Sequence, residues 1–244
     1  MNRRTWVLRG LALSAMVTLG AAPILPPLAA GADTPPPKLI RVEEDWVALV
    51  RNPDHRIASP QILICLTPDG TFNADFALLE INHASRPDWL AGGIQLQGWK
   101  GELNTSIFNA PTDAVLARNY DKVLLTTCIA IGDGHTEYTI KNGRSRTWGR
   151  FTSTKPVTVK VPSLRTDLGS YTREASVKNT HVTHGAHRVE MMYQRRVRYY
   201  YSDGTSKTDS SYRILHRYHS LVEEMTLAEW EATKTEYNYE QADQ

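Results

Sequence analysis

Cysteine is nearly absent from the 244-residue chain, which has only Cys65 and Cys128. That scarcity excludes a disulfide-dense miniature scaffold and a cysteine-rich zinc module. Excess charge of one sign is lacking too, since 28 basic residues face 26 acidic ones. Nothing in that balance marks nucleic acid as a partner. Long apolar runs are confined to the N-terminus, so no stable membrane span is expected once that segment is removed. No repeat suggests a propeller or solenoid.

What the chain does have begins with an export signal. Arg3, Arg4 and Arg9 precede the apolar run Leu11 to Ala22, and Ala30-Gly31-Ala32 offers small residues to a signal peptidase. Residues 1–32 therefore read as a signal peptide. Pro23, Pro26 and Pro27 oppose the alternative, a continuous helical anchor. The stretch Asn2-Arg3-Arg4-Thr5-Trp6-Val7 resembles the paired-arginine signal for exporting folded proteins, which sets that route beside the general secretory one. The protein is expected outside the cytoplasm, periplasmic or secreted. Cleavage removes three arginines and no acid, leaving the remainder one negative charge from neutrality.

Residues 33–45 contain Pro35-Pro36-Pro37 and read as an extended lead; 46–233 has the length of one β-sandwich domain, and 234–244 is a polar, acidic tail. Turn chemistry organises the middle. Asp69-Gly70, Asp133-Gly134, Asn142-Gly143 and Asp203-Gly204 each tolerate the positive backbone angles of a tight hairpin. Between them, Gly92–Trp99 alternates with period two, as does Val157–Val161. Arg188–Tyr201 places Val189, Met191, Tyr193, Val197 and Tyr199 on one parity. Only Leu221–Lys234 has helical character, with Thr226 and Glu229 in a capping box. This pattern predicts an all-β, two-sheet antiparallel sandwich of roughly ten strands with at most a few short helices.

Three segments sharpen the fold expectation: Phe72 to Glu80, Gly92 to Gln97, and Thr136 to Gly143 with its Asn-Gly pair. Their order resembles the jelly-roll domains of the concanavalin A-like and laminin G-like superfamily over about residues 46–161. The resemblance implies a ligand or catalytic carboxylates on one sheet face. The chain departs from glucan-cleaving members in having no Glu-x-Asp-x-Glu strand, and the full arginine, glutamine, histidine and tyrosine set of related lyases cannot be placed.

Candidate sites follow from residue type. Glu80, His83 and Asp88 supply an acid, a base or a partner if the protein is an enzyme, with Trp89 overhanging a groove; the alternative is a hydrogen-bonded sheet edge and a surface loop. Gln95, Gln97 and Trp99 share one strand parity, as an amide-flanked platform for a sugar ring or as packing. Trp148, surrounded by Arg144, Arg146 and Arg150, has the same two readings. Cys65 and Cys128 fall in apolar runs. An exported protein permits a disulfide between them, worth about 4 kcal/mol on the chain-entropy model; two buried thiols are the alternative.

No metal site is expected. His181, His184 and His187 alternate direction on a strand, and Gly185 opposes a helix. No cofactor is expected either. Arg195, Arg196 and Arg198 beside Tyr199–Tyr201 read as a solvated edge with tyrosines in the core, and anionic glycan binding stays open for the outward arginines. Two functions lead: a non-catalytic exported sandwich binding a polysaccharide, an envelope component or a surface protein, and a carbohydrate-active hydrolase or lyase working near Glu80; an exported structural protein with no small ligand is the third. The first leads, because no substrate-specific catalytic motif is present.

Overall fold

Apolar side chains at alternate strand positions, facing one another across two sheets, organise the protein. A computed structural model describes residues 35–50, 60–82, 93–109, 121–152, 154–182 and 189–217. The segment expected as signal peptide, the stretch 221–234 expected as a helix and the tail 234–244 lie outside the described residues. Pro37 onward forms one compact unit. The larger sheet contains β1 (Leu39–Val50), β6 (Asp121–Gly132), β7 (His135–Ser145), β8 (Gly149–Phe151), β9 (Val157–Pro162), β11 (Val189–Tyr201), β12 (Ser206–Asp209) and β13 (Arg213–Arg217). Its order is β12-β11-β1-β6-β7-β8, with β13 also on β11 and β9 also on β7. The smaller sheet contains β2 (Ile62–Leu66), β3 (Asp75–Ile81), β4 (Ile94–Lys100), β5 (Leu103–Asn109) and β10 (His181–Val182), in the order β10-β2-β3-β4-β5. All pairings are antiparallel.

The protein is thus an all-β sandwich. Val42, Trp46, Ala48 and Val50 of β1 meet Ile62, Ile64 and Leu66 of β2, Leu79 of β3 and Leu96 of β4 in one core. Burying each such Val, Leu or Ile contributes about 1.5–3 kcal/mol. β1 already runs from Leu39, so the strand takes in half of the stretch expected as lead. One short helix occurs among the described residues, α1 (Arg173–Asn179), where no helix was expected. The Thr172 hydroxyl accepts a hydrogen bond from the Ala175 amide and caps it.

Asp75 ties the two sheets together. It sits on β3, and its carboxylate accepts hydrogen bonds from Thr136 and Tyr138 of β7, the latter at 3.2 Å, and from Arg165 Nε at 2.7 Å. Arg165 also pairs with Asp69. A second buried carboxylate, Glu44, lies on the core face of β1 and receives the hydroxyls of Thr127, Tyr171 and Ser176. Burial pushes its carboxyl above the usual carboxylate range, and the three hydroxyl donors only partly oppose this.

The expected Cys65–Cys128 disulfide is absent; both cysteines are buried free thiols. Strand parity explains the correction. On β2, Ile62, Ile64 and Leu66 face the core, so Cys65 points to the outer side of the smaller sheet; on β6, Val123, Leu125 and Ile129 face the core, so Cys128 points to the outer side of the larger one. The full thickness of the sandwich separates them. Burial pushes each thiol up to about 12, away from thiolate chemistry.

Asp133-Gly134 joins β6 to β7 and Asp203-Gly204 joins β11 to β12, as hairpin chemistry predicts, with Gly134 at φ 68 and Gly204 at φ 84. Asn142-Gly143 behaves differently. It lies inside β7, where Lys141 pairs with Thr126 and Arg144 with Leu124, so two β7 residues oppose Leu125 alone. This is a β-bulge, with Asn142 at φ 55. A side chain at Gly143 would meet the Phe151 ring at 2.2 Å, so only glycine fits there.

Two more register shifts, at Glu190 and Arg195, interrupt β11. Each adds a residue and exchanges the two faces. Val189 and Val197 enter the central core, whereas Met191 and Tyr193 pack on the outer face with Val47 and Leu49. The single parity read from Arg188–Tyr201 is therefore corrected.

Candidate functional site

The outer face of β1 presents Arg41, Glu43, Asp45, Val47 and Leu49, the parity opposite to Trp46. Asp45 lies between Thr126 of β6 and Arg196 of β11. Its carboxylate accepts from Thr126 Oγ1 at 2.9 Å, from Arg196 Nε at 2.7 Å, and from both terminal nitrogens of Arg198 at 2.9 Å. Glu43 accepts from Lys141 Nζ at 2.6 Å, Arg198 Nε at 3.1 Å and the Tyr200 hydroxyl at 3.2 Å. Burial pushes both carboxyls up, but these hydrogen bonds and cations outweigh it and hold both below the usual carboxylate range. The two acids thus fix Arg196 and Arg198 of β11 in place while themselves staying ionised.

Bulges bring further arginines to this face. The shift at Arg195 re-aims that residue beside Arg196, and the bulge at Asn142-Gly143 sets Arg144 opposite Leu124. Arg150 of β8 pairs directly with Arg144. The loop between β7 and β8 is held by Asp121, which is fully buried and accepts from the Arg146 and Thr147 amides at 2.9 Å each.

The result is a cavity of about 520 Å³ lined by Arg144, Arg150, Arg195, Arg196 and Arg198, with Asp45 the one carboxylate in its wall. That volume lies within the ordinary range for ligand sites. Arg144 and Arg195 have no ion-pair partner among the described residues. Val47 and Leu124, paired across β1 and β6, lie between the two groups of arginines. Guanidiniums in this setting bind oxyanions such as carboxylate, sulfate and phosphate through paired N–H donors.

The expected sugar platform lies on the outer face of the smaller sheet. Gln95, Gln97 and Trp99 share that face of β4, next to Glu80, Leu78 and Phe76 of β3. Gln95 and Gln97 are 5% exposed, and Gln97 Nε2 donates to Gln95 Oε1 at 3.0 Å while Asn104 Nδ2 donates to Gln97 Oε1 at 3.2 Å. Trp99 stacks on Phe76 with centroids 6.2 Å apart, and Phe72 meets Phe76 edge-on at 5.1 Å. Phe72, Phe76, Leu78 and Trp99 border an open hollow of about 670 Å³. This hollow offers apolar rings, but the neighbouring amides are engaged with each other.

Trp148 sits in the loop between β7 and β8, 8% exposed, with its ring edge-on to Phe151 at 5.4 Å. It joins the core beneath the arginines that flank it in sequence. Glu80 is buried between Leu63 and Gln95 on neighbouring strands. His83, Asp88 and Trp89 lie outside the described residues, as do His184 and His187. Among the described residues, no cluster of three histidine, cysteine or acidic side chains is arranged to hold a metal ion, and no helix is long and apolar enough to cross a membrane.

The two arginine groups, 144–150 and 195–198, are each visible in the chain. Their convergence was missed, because strand alternation sends neighbouring arginines to opposite faces and only the bulges undo this. Asn142-Gly143 was the one local signal, and it also fits a hairpin. No family model, no curated protein and no solved structure matches the chain.

Proposed function

We propose that the protein is an exported, non-catalytic β sandwich that binds an acidic polysaccharide of the cell envelope in the arginine-lined cavity on its larger sheet. The observation that carries this reading is the concentration of five arginines against a single carboxylate around one ligand-sized cavity, in a chain whose overall charge is close to neutral. The N-terminal segment 1–32 supports an extracytoplasmic setting, periplasmic or secreted, where such polymers are met. The half-buried Leu124 supplies apolar surface for the C–H face of a sugar ring. The smaller sheet competes less well as the site, since its amides are already hydrogen-bonded to one another.

The test expresses the whole chain with its export segment, recovers the processed protein, and measures binding to uronate, sulfated and neutral polysaccharides while following reducing-end release. Binding of the acidic polymers with no release is the expected result. Equal binding of the neutral polymers contradicts the proposed site, and release of reducing ends contradicts the non-catalytic reading and moves attention to Glu80→Gln.

A further inference from the structure

The arginines of the cavity form two groups separated by two strands. Arg195 and Arg196 stand on β11, Arg144 on β7, and β1 and β6 run between them. Adjacent strands are spaced by about 4.8 Å, so the backbones of the two groups lie about 14 Å apart. Directly between them the row across the sheet reads Tyr193, Val47, Leu124, Arg144, each residue paired with the next. Tyr193 and Val47 are buried in that row, so the half-buried Leu124 is its apolar side chain with surface between the cationic ends. Asp45 and Thr126 flank this row, and their polar groups are engaged with Arg196, Arg198 and each other.

Resting on the anion-binding reading above, we propose that the cavity is a two-ended site for a linear acidic oligosaccharide lying across the strands, with one anionic group at the Arg195–Arg196 end, another at the Arg144 end, and an uncharged sugar face on the half-buried Leu124. Each end alone is a largely exposed arginine group, and exposed ion pairs bind weakly in water. Two weak ends engaged by one ligand gain through effective concentration, by roughly a hundredfold or more once the ligand spans both. A ligand too short to span gains nothing from the second end. The site thus selects for length and for spaced charge, and a single sulfate or monosaccharide uronate is a poor ligand.

A ladder of one acidic oligosaccharide, from monosaccharide to octasaccharide, titrated into the processed full chain tests this. Affinity is expected to rise by about a hundredfold over one or two steps of the ladder and then to level off. The variants Arg144→Gln and Arg195→Gln are each expected to abolish that rise, leaving long ligands bound about as weakly as short ones. Both side chains are exposed, and thermal unfolding of each variant checks that it is folded. A wild-type monosaccharide binding as tightly as the octasaccharide overturns the two-ended site and leaves the anion-binding reading standing. So does a length dependence that survives either substitution. Failure of every ladder member to bind overturns both.

Discussion

Replacing Arg144 and Arg195 together by glutamate abolishes binding of acidic polysaccharide and leaves the thermal unfolding of the protein nearly unchanged. Neither guanidinium has an ion-pair partner among the described residues, so their loss breaks no such contact, and exposed substitutions of this kind stay within about 0.5 kcal/mol. Binding, by contrast, loses two charge-assisted contacts of about 1.5–3 kcal/mol each. The combined loss corresponds to roughly a hundredfold to ten-thousandfold in affinity. Reversal adds repulsion to that figure. Lys178→Glu, on the exposed side of α1, serves as the control and leaves binding as it was. Unaltered binding by the double variant would falsify the assignment of the site to this cavity, whatever the protein binds elsewhere.

The second large effect concerns the sandwich itself. Asp75→Ala removes the acceptor shared by Thr136, Tyr138 and Arg165 and so cuts the polar tie between the smaller and larger sheets. Breaking one partner of a buried charge pair costs about 3–5 kcal/mol; here two hydroxyls lose their acceptor while Arg165 keeps Asp69, which places the cost at about 3 kcal/mol. For a domain of this length that lowers Tm by roughly 10 °C. Asp75→Asn keeps one acceptor oxygen and a similar volume, so it falls between the wild type and the alanine variant. Differential scanning calorimetry on the three proteins checks the order, and an Asp75→Ala protein as stable as the wild type would show that the tie contributes little. Arg165 also pairs with Asp69, whose carboxyl is pushed up by burial but held below the usual range by Thr71 and Arg165. A lowered folded-state value of this kind adds stability above the unfolded carboxylate range near pH 4 that is lost as pH falls through the folded value.

Much of the sandwich was legible because alternation is a local signal. Ile62, Ile64 and Leu66, or Val157, Val159 and Val161, announce a buried face without reference to any partner strand. The hairpins at Asp133-Gly134 and Asp203-Gly204 are similarly local, since positive φ selects for these residues directly. The pairing partner of a strand is not a local property, and the site depends on it. The bulge at Arg195 exists only relative to β1, where Asp45 meets Arg196 and Trp46 meets Gln194. It turns arginines that read as a solvated edge into the wall of a cavity. The missing disulfide has the same origin: Cys65 and Cys128 each sit in an apolar run, but which sheet each belongs to, and which side faces inward, emerges only from the pairing.

Trp99 and its amides show the opposite case. Their shared face was legible, and the structure places them together, yet the hydrogen bonds from Asn104 to Gln97 and from Gln97 to Gln95 connect residues that period-two reasoning treats as separate hydroxyl acceptors for a sugar. Burial of Trp148 against Phe151 likewise follows from the close approach of Phe151 to Gly143 across β7 and β8, a contact with no trace in the spacing of the tryptophan from its flanking arginines.

The most direct measurement is the affinity of the processed protein for one sulfated polysaccharide and for its desulfated counterpart, determined by titration calorimetry at low and at physiological salt. Binding through two or more arginines releases counterions, so affinity for the sulfated polymer should fall by roughly tenfold to a hundredfold between about 50 and 200 mM salt. The desulfated polymer should bind weakly at both. Equal affinity for the two polymers, or an affinity that does not change with salt, would contradict an arginine-built anion site.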